Sequence, residues 1–255
     1  MPIITKAPPG CDGISLTPIP LRISALIQER NGLFAFPLER LATIISEIGF
    51  QCTCCAKCCT RDFNGHVFLL DSDVRIAREI DPEALEPAPN PEFCDQNGVY
   101  YVSGYAIRAM PDKHGSCWFL KQDRCSIYDR RFSICRIYPY MLHREADEHG
   151  AVDWRQFSGL DEHGDYHSQI PPETCHSMAL HTVEYENAFL AHEIAFLEFI
   201  RDYFARNKLR HIQKIYDDGM RRFQKGEDIT VMVFCDGALD KHCVHAGKNG
   251  SGRES

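Results

Sequence analysis

Phe50-Gln51-Cys52-Thr53-Cys54-Cys55-Ala56-Lys57-Cys58-Cys59 places five thiols within eight positions. Packing has no use for such a run, because a core fills itself with side chains of assorted volume and gains nothing particular from sulfur. Cys52, Cys55 and Cys58 form a C-x2-C-x2-C ladder. Bacterial ferredoxins use this spacing to offer three thiolates to one iron–sulfur cluster, with a distant cysteine supplying the fourth. The two-residue gaps let a tight turn aim successive sulfurs inward and leave N–H groups free to hydrogen-bond them. Cys59 adjoins Cys58, and neighbouring side chains diverge, so Cys59 is expected to serve a second site or to be completed from elsewhere. A radical S-adenosylmethionine site would need C-x3-C-x2-C; after Cys54 and Cys58 the third position is Arg61, and after Cys55 and Cys59 it is Asp62.

Around this run, 13 of the 255 residues are cysteine, below the roughly 8% of a disulfide scaffold, in a chain long enough to bury a core without staples. An odd number cannot pair completely within one chain. The first twenty residues carry a single Lys6, no apolar run and five prolines, so they read as neither signal peptide nor anchor. No stretch approaches the roughly 20 apolar residues that span a bilayer. A cytoplasmic location follows as the expectation, and there clustered thiols stay reduced and bind metal more often than they pair. The 28 basic and 36 acidic side chains give a net charge of −8, which argues against general nucleic-acid binding. Neither a G-x-G-x-x-G or Walker loop nor a G-x-S-x-G elbow occurs, so nucleotide binding and a serine nucleophile lack support.

Four further cysteines complete the candidate ligands: Cys117, Cys125 and Cys135 in GSCWFL, RCSIY and ICRIYP, and Cys175 near the start of a long helix. With Cys52, Cys55, Cys58 and Cys59 they make eight, enough for two sites of four thiolates, or for one site plus four structural or redox thiols. A zinc ribbon would show two C-x2-C knuckles, and only the first half is present. Zn2+ accepts the same tetrahedron of thiolates, so it stays the alternative to one or two iron–sulfur clusters of the 4Fe–4S type. Four thiolates on either core leave a net charge of about −2, which a guanidinium can offset. Arg136, flanked by motif residues, is assigned that cofactor-binding role, whereas Arg124, Arg130 and Arg131 are expected to pair with Asp123 and Asp129. Cys11, Cys54, Cys94, Cys235 and Cys243 fall outside the set; Cys235, His242, Cys243 and His245 read at most as an adventitious site near the tail.

The fold class expected is α+β: a loop-rich cysteine-cluster domain with short strands, packed with C-terminal amphipathic helices. Helical periodicity runs from Pro37 to Ile48 and stops at Gly49, and a second helix, capped by Asp71 or Ser72, ends before Pro82. Val99 to Met110 reads as a pair of short strands and Glu145 to Gln169 as a surface hairpin or loop. His163 and His167 in that stretch read as solvated. Val183, Leu190, Ile194, Leu197, Ile200 and Phe204 mark one face of a long helix, with a second over Leu209 to Phe223 and a strand over Ile229 to Phe234. These C-terminal helices offer either internal packing or a homodimer face. The resulting division is an extended arm over 1–34, a metal-binding domain over 35–178, a mostly helical portion over 179–246 and a disordered tail over 247–255.

In order, Cys52-x2-Cys55-x2-Cys58-Cys59, Cys117-Trp118-Phe119-Leu120, Cys125-Ser126-Ile127-Tyr128 and Arg131-x3-Cys135-Arg136-Ile137-Tyr138-Pro139 resemble the YkgJ-type cysteine-cluster family. The family is described as a zinc- or iron-chelating domain, and flagellin lysine N-methylase resembles it too. The resemblance covers Phe50 to about Cys175, 126 of 255 residues. It departs at Ala56 and Ser177, where the family favours Gly, and at Phe132, where it favours Pro. It implies a metal-chelating domain often labelled an iron–sulfur oxidoreductase, with no settled substrate. A lysine N-methyltransferase-like activity is implied by the resemblance alone. The function expected is therefore metal chelation by one or two iron–sulfur clusters for electron transfer or redox chemistry, with a structural zinc module as the alternative. The partner expected is a redox protein or another protein, not nucleic acid or a membrane.

Overall fold

Pro18 and Pro20 begin a helix rather than extend an arm. A computed structural model of the chain describes residues 18–141, 145–146, 152–153, 156–157 and 162–245, and its first element is helix α1 (Ile19–Ala35). Proline is tolerated in the first turn because the N–H it lacks would have no intrahelical partner there. The expected arm over 1–34 is thus corrected from Ile19 onward; residues 1–17, with Cys11, lie outside the described residues. Helix α2 (Leu38–Ile48) turns Leu41, Ala42, Ile44 and Ile45 inward and ends at Gly49, whose φ of 53° is left-handed.

The cysteine loop leads into α3 (Arg61–Asn64), β1 (Phe68–Leu69) and α4 (Asp71–Ile80). The cap expected from Asp71 or Ser72 does not form: both lie inside α4, whose N-cap is Leu70. There follow β2 (Leu85–Pro87), β3 (Phe93–Cys94), β4 (Tyr100–Val102) and β5 (Tyr105–Ile107). The two tyrosine-rich strands do not pair with each other, because β5 sits between β1 and β2 while β4 joins a different sheet. Next come the hairpin β6 (Leu120–Lys121) and β7 (Arg124–Cys125) and the short helix α5 (Ser133–Ile137). In the polar stretch, β8 (Tyr140–Met141), β9 (Glu145–Ala146), β10 (Val152–Asp153) and β11 (Gln156–Phe157) form two antiparallel pairs, β9 with β10 and β8 with β11.

Helix α6 (Pro172–Asn207) is 36 residues long, about 54 Å at 1.5 Å per residue, and Lys208 ends it in the left-handed region. It packs against α1, α2 and α5. The expected boundary at 178/179 falls inside it. After α7 (Gln213–Gln224), strands β12 (Ile229–Cys235) and β13 (Ala238–Val244) make a hairpin through Asp236 and Gly237. Both turn residues have positive φ, as a type I′ turn requires. This hairpin completes a sheet of order β13-β12-β4-β3, with β12 parallel to β4. The C-terminal portion and the cysteine-bearing portion therefore share one sheet. The fold is α+β, with no helix among the described residues long and apolar enough to cross a membrane.

Four apolar cores hold the described residues together; the smallest contains Leu70, Ile137 and Tyr185, and the other three are larger. One, under the two larger sheets, contains Leu69, Val74, Tyr100, Val102, Ile107, Phe119, Phe132, Val231 and Val233, with Cys117 and Cys135 packed at its edge. A second lies between α1, α2 and α6 and contains Leu33, Leu41, Ile45, Tyr140 and Leu190. The third joins α1 and α6 to the four-stranded sheet through Ile23, Phe93, Tyr101, Phe196, Ile200 and Phe234.

Candidate metal centre

The cysteine loop is tied down at both ends by backbone pairing. At its entry Gln51 and Asp165 exchange N–H···O bonds of 2.8 and 3.0 Å; at its exit the Cys117 N–H donates to Cys59 O at 2.8 Å. Between them the chain takes left-handed turns at Cys54 and Ala56 and a single 3-10 turn over Lys57–Cys59. Ala56 has φ 62°, a conformation in which a side chain costs energy and glycine does not. That accounts for the glycine which the resemblance favours at this position.

Below the loop lies an aromatic seat. His163 is 8% exposed, bonds through Nε2 to the Tyr138 hydroxyl at 2.9 Å, and has Phe63 and Phe50 rings 4.8 and 5.7 Å away. The solvated reading of His163 is corrected accordingly, whereas His167 is exposed. Lys57 lies over the Phe63 ring and donates to Glu162 O at 3.0 Å, and Asn64 donates to Cys58 O at 2.8 Å.

Three other elements bring thiols to this loop. Cys117 ends its bridge with Ala109 and starts the turn into β6, and Cys125 lies opposite Leu120 in the β6–β7 hairpin. Cys135 is carried by α5, whose first residue is fixed by α4: the backbone N–H and hydroxyl of Ser133 both donate to Asp73 Oδ1 at 3.0 Å. Asp73 is fully buried, and its desolvated carboxyl is held above the usual carboxylate range. An acceptor at a helix start satisfies a donor that the helix cannot.

The sulfurs of Cys52, Cys58, Cys59, Cys117, Cys125 and Cys135 are close enough to shift one another's ionisation. Cys58 and Cys59 lie 4.0 Å apart, Sγ to Sγ. Their contact keeps the proton on Cys58, whose pKa is raised, and favours thiolate on Cys59, whose pKa is lowered. Burial pushes Cys117 up to about 12, and burial with the neighbouring sulfurs pushes Cys135 up as well. Such thiols resist ionising until a cation is present to share the charge.

The guanidinium at this cluster belongs to Arg131. Burial raises the pKa values of Cys52 and Cys125 and the Arg131 charge opposes that rise, while for Cys59 it adds to the lowering set first by Cys58; the Arg131 Cζ sits 4.0 Å from the Tyr128 ring centroid, and its Nε is buried without a hydrogen-bond partner. Arg136, given this role from its flanking motif, is exposed and bonds to Ser133 Oγ at 3.2 Å. Arg130 pairs with Glu79 at 2.8 Å, a partner in another element and not Asp123 or Asp129. Only the placement of Tyr128 three residues before Arg131 hinted at the stacked pair. Nothing local in the sequence pointed to Asp73.

The remaining cysteines divide cleanly. Cys54 and Cys55 are exposed on the loop, and Cys55, counted among the expected ligands, stays outside the group of six. Cys175 is buried in the α1–α2–α6 core with Tyr140 and Leu41, its thiol 3.8 Å from Ile170 O. Cys94 and Cys235 are buried in the sheet core. Of the aromatic residues in the cysteine motifs, Phe119 and Tyr140 are buried and Tyr128 is 41% exposed.

The sequence model of the CxxCxxCC family, described as "Putative zinc- or iron-chelating domain", matches residues 51–176. No curated protein and no solved structure shows a significant match to the chain.

Proposed function

We propose, on the match of residues 51–176 to the model of the zinc- or iron-chelating cysteine-cluster family, that four of the thiols of Cys52, Cys58, Cys59, Cys117, Cys125 and Cys135 hold a 4Fe–4S centre that carries electrons. The observation behind this choice of metal is the spacing of the sulfurs. A single zinc ion with bonds of about 2.3 Å needs its four sulfurs within roughly 4 Å of one another. Among the described residues no three of these sulfurs lie within 4.8 Å of one another, although Cys58 and Cys59 are 4.0 Å apart. A 4Fe–4S core gives each of its four thiolates its own iron and suits sulfurs set wider apart.

Arg131 offsets part of the charge of such a centre. The apolar edge formed by Phe119 and Phe132 would limit water around it, and both effects tune a reduction potential. The exposed loop over Cys52–Cys55 gives a redox partner a short approach. The setting of this reading is the reducing cytoplasm, where clustered thiols stay available to metal. Protein purified without oxygen should be brown, contain iron and acid-labile sulfide, and lose its visible absorption reversibly on reduction. A colourless protein with stoichiometric zinc would overturn the electron-carrier reading in favour of a structural zinc module.

A further inference from the structure

The open end of the β12–β13 hairpin brings together three donors that the cysteine cluster does not use. Ile229 pairs with Val244 and Thr230 with Cys243. Asp228 and His245 therefore stand opposite each other one step beyond the ladder, and Cys243 lies on the same face as His245 because strand side chains alternate. His245 Nδ1 is 2.7 Å from Asp228 Oδ2. One ligand atom each of Asp228, Cys243 and His245 lies within 4.8 Å of the other two, and all three residues are exposed. The sequence grouping of Cys235, His242, Cys243 and His245 is not the one the fold makes. Cys235 is buried at the far end of β12, and the His242 ring turns to the Tyr105 hydroxyl, 2.8 Å away.

We propose that Asp228, Cys243 and His245 form a second metal site, selective for Zn2+, with water as the fourth ligand. A thiolate, an imidazole and a carboxylate are the three ligand types zinc accepts, and three protein ligands plus one exchangeable position is a common zinc arrangement. Binding releases the Cys243 thiol proton to solvent, and His245 coordinates as neutral imidazole. The two negative ligands then neutralise the ion. A tetrahedral zinc holds its nitrogen and oxygen ligands roughly 3.3 Å apart, so the pair at 2.7 Å opens by only about 0.6 Å, a small movement for exposed side chains. Asp228, Glu227 and Thr230 also border a cavity of about 180 Å3, with room for the water. Strand β13 is the edge of its sheet, and an edge strand has a partner on one side only. The ion would pin its end to the start of β12.

The test uses the full chain with its cysteine cluster loaded, so that failure here leaves the iron–sulfur reading untouched. Alkylation of Cys243 by iodoacetamide is followed by peptide mass spectrometry with and without Zn2+. In the wild type Zn2+ should slow it at least tenfold; in Asp228→Asn and His245→Ala it should not. Co2+ should add one equivalent with a sulfur-to-cobalt absorption that Cys243→Ser abolishes, while cluster iron stays constant. Equal alkylation rates with and without Zn2+ in the wild type, or the same cobalt uptake in all variants, would overturn the proposal. All three residues are exposed, so the variants should fold.

Discussion

Gly49→Ala tests how the cysteine loop is seated. A Cβ at this position would lie 2.3 Å from Ser168 O and 2.7 Å from Ser168 N. These are backbone atoms and cannot swing aside, because His167 N–H donates to Ile48 O at 2.8 Å and Ser168 N–H to Gly49 O at 3.0 Å. The left-handed conformation costs alanine about 1–2 kcal/mol, and forced overpacking adds about 1–3 kcal/mol, so about 2–5 kcal/mol is expected in all. Gly237→Ala supplies the control: its φ is 74°, yet nothing lies within 4 Å of the added carbon. It should cost only the backbone part, about 1–2 kcal/mol. Urea unfolding of both variants, with chelator and reductant present so that metal does not contribute, measures the difference. If Gly49→Ala falls within about 0.5 kcal/mol of Gly237→Ala, well below the overpacking cost, the seating of the loop on residues 167–168 is refuted.

Ala56→Gly should stabilise the protein by about 0.5–1 kcal/mol by relieving a left-handed alanine; a lower urea midpoint would contradict the turn. Cys58→Ser should lose bound metal, whereas Cys94→Ser and Cys175→Ser, at buried positions in apolar cores, should keep it and lose about 1–3 kcal/mol of stability, as metal analysis and unfolding on the same samples will show. For pH, burial and then the nearby Arg78 hold the His242 pKa below its ordinary 6.5, with Asp240 opposing. Its contribution is therefore fully present above pH 6.5 and lost as pH falls through the lower folded value, so His242→Gln should flatten the drop in urea midpoint between about pH 7 and 5.

The amino-acid sequence by itself determined what depends on neighbours along the chain. Helix α2 and its stop at Gly49, the long apolar face of α6, the break near Asn207 and strand β12 all follow from periodicity and single-residue conformational limits. The C-x2-C-x2-C ladder marked the thiol-rich turn for the same reason, although Cys55, its middle member, stands exposed while Cys52 and Cys58 face the other sulfurs. The tertiary structure decided which distant groups share a site. Tyr100–Val102 and Tyr105–Ile107 read alike yet entered different sheets, because strand pairing is settled by partners far away in sequence. Arg131, not Arg136, reached the thiols because the turn before α5 stacks it on Tyr128, while α5 itself is set by Asp73, 60 residues earlier. Cys175 went to an apolar core and Asp228 joined Cys243 and His245, since helix packing and strand register place those side chains, and neither leaves a local mark in the sequence.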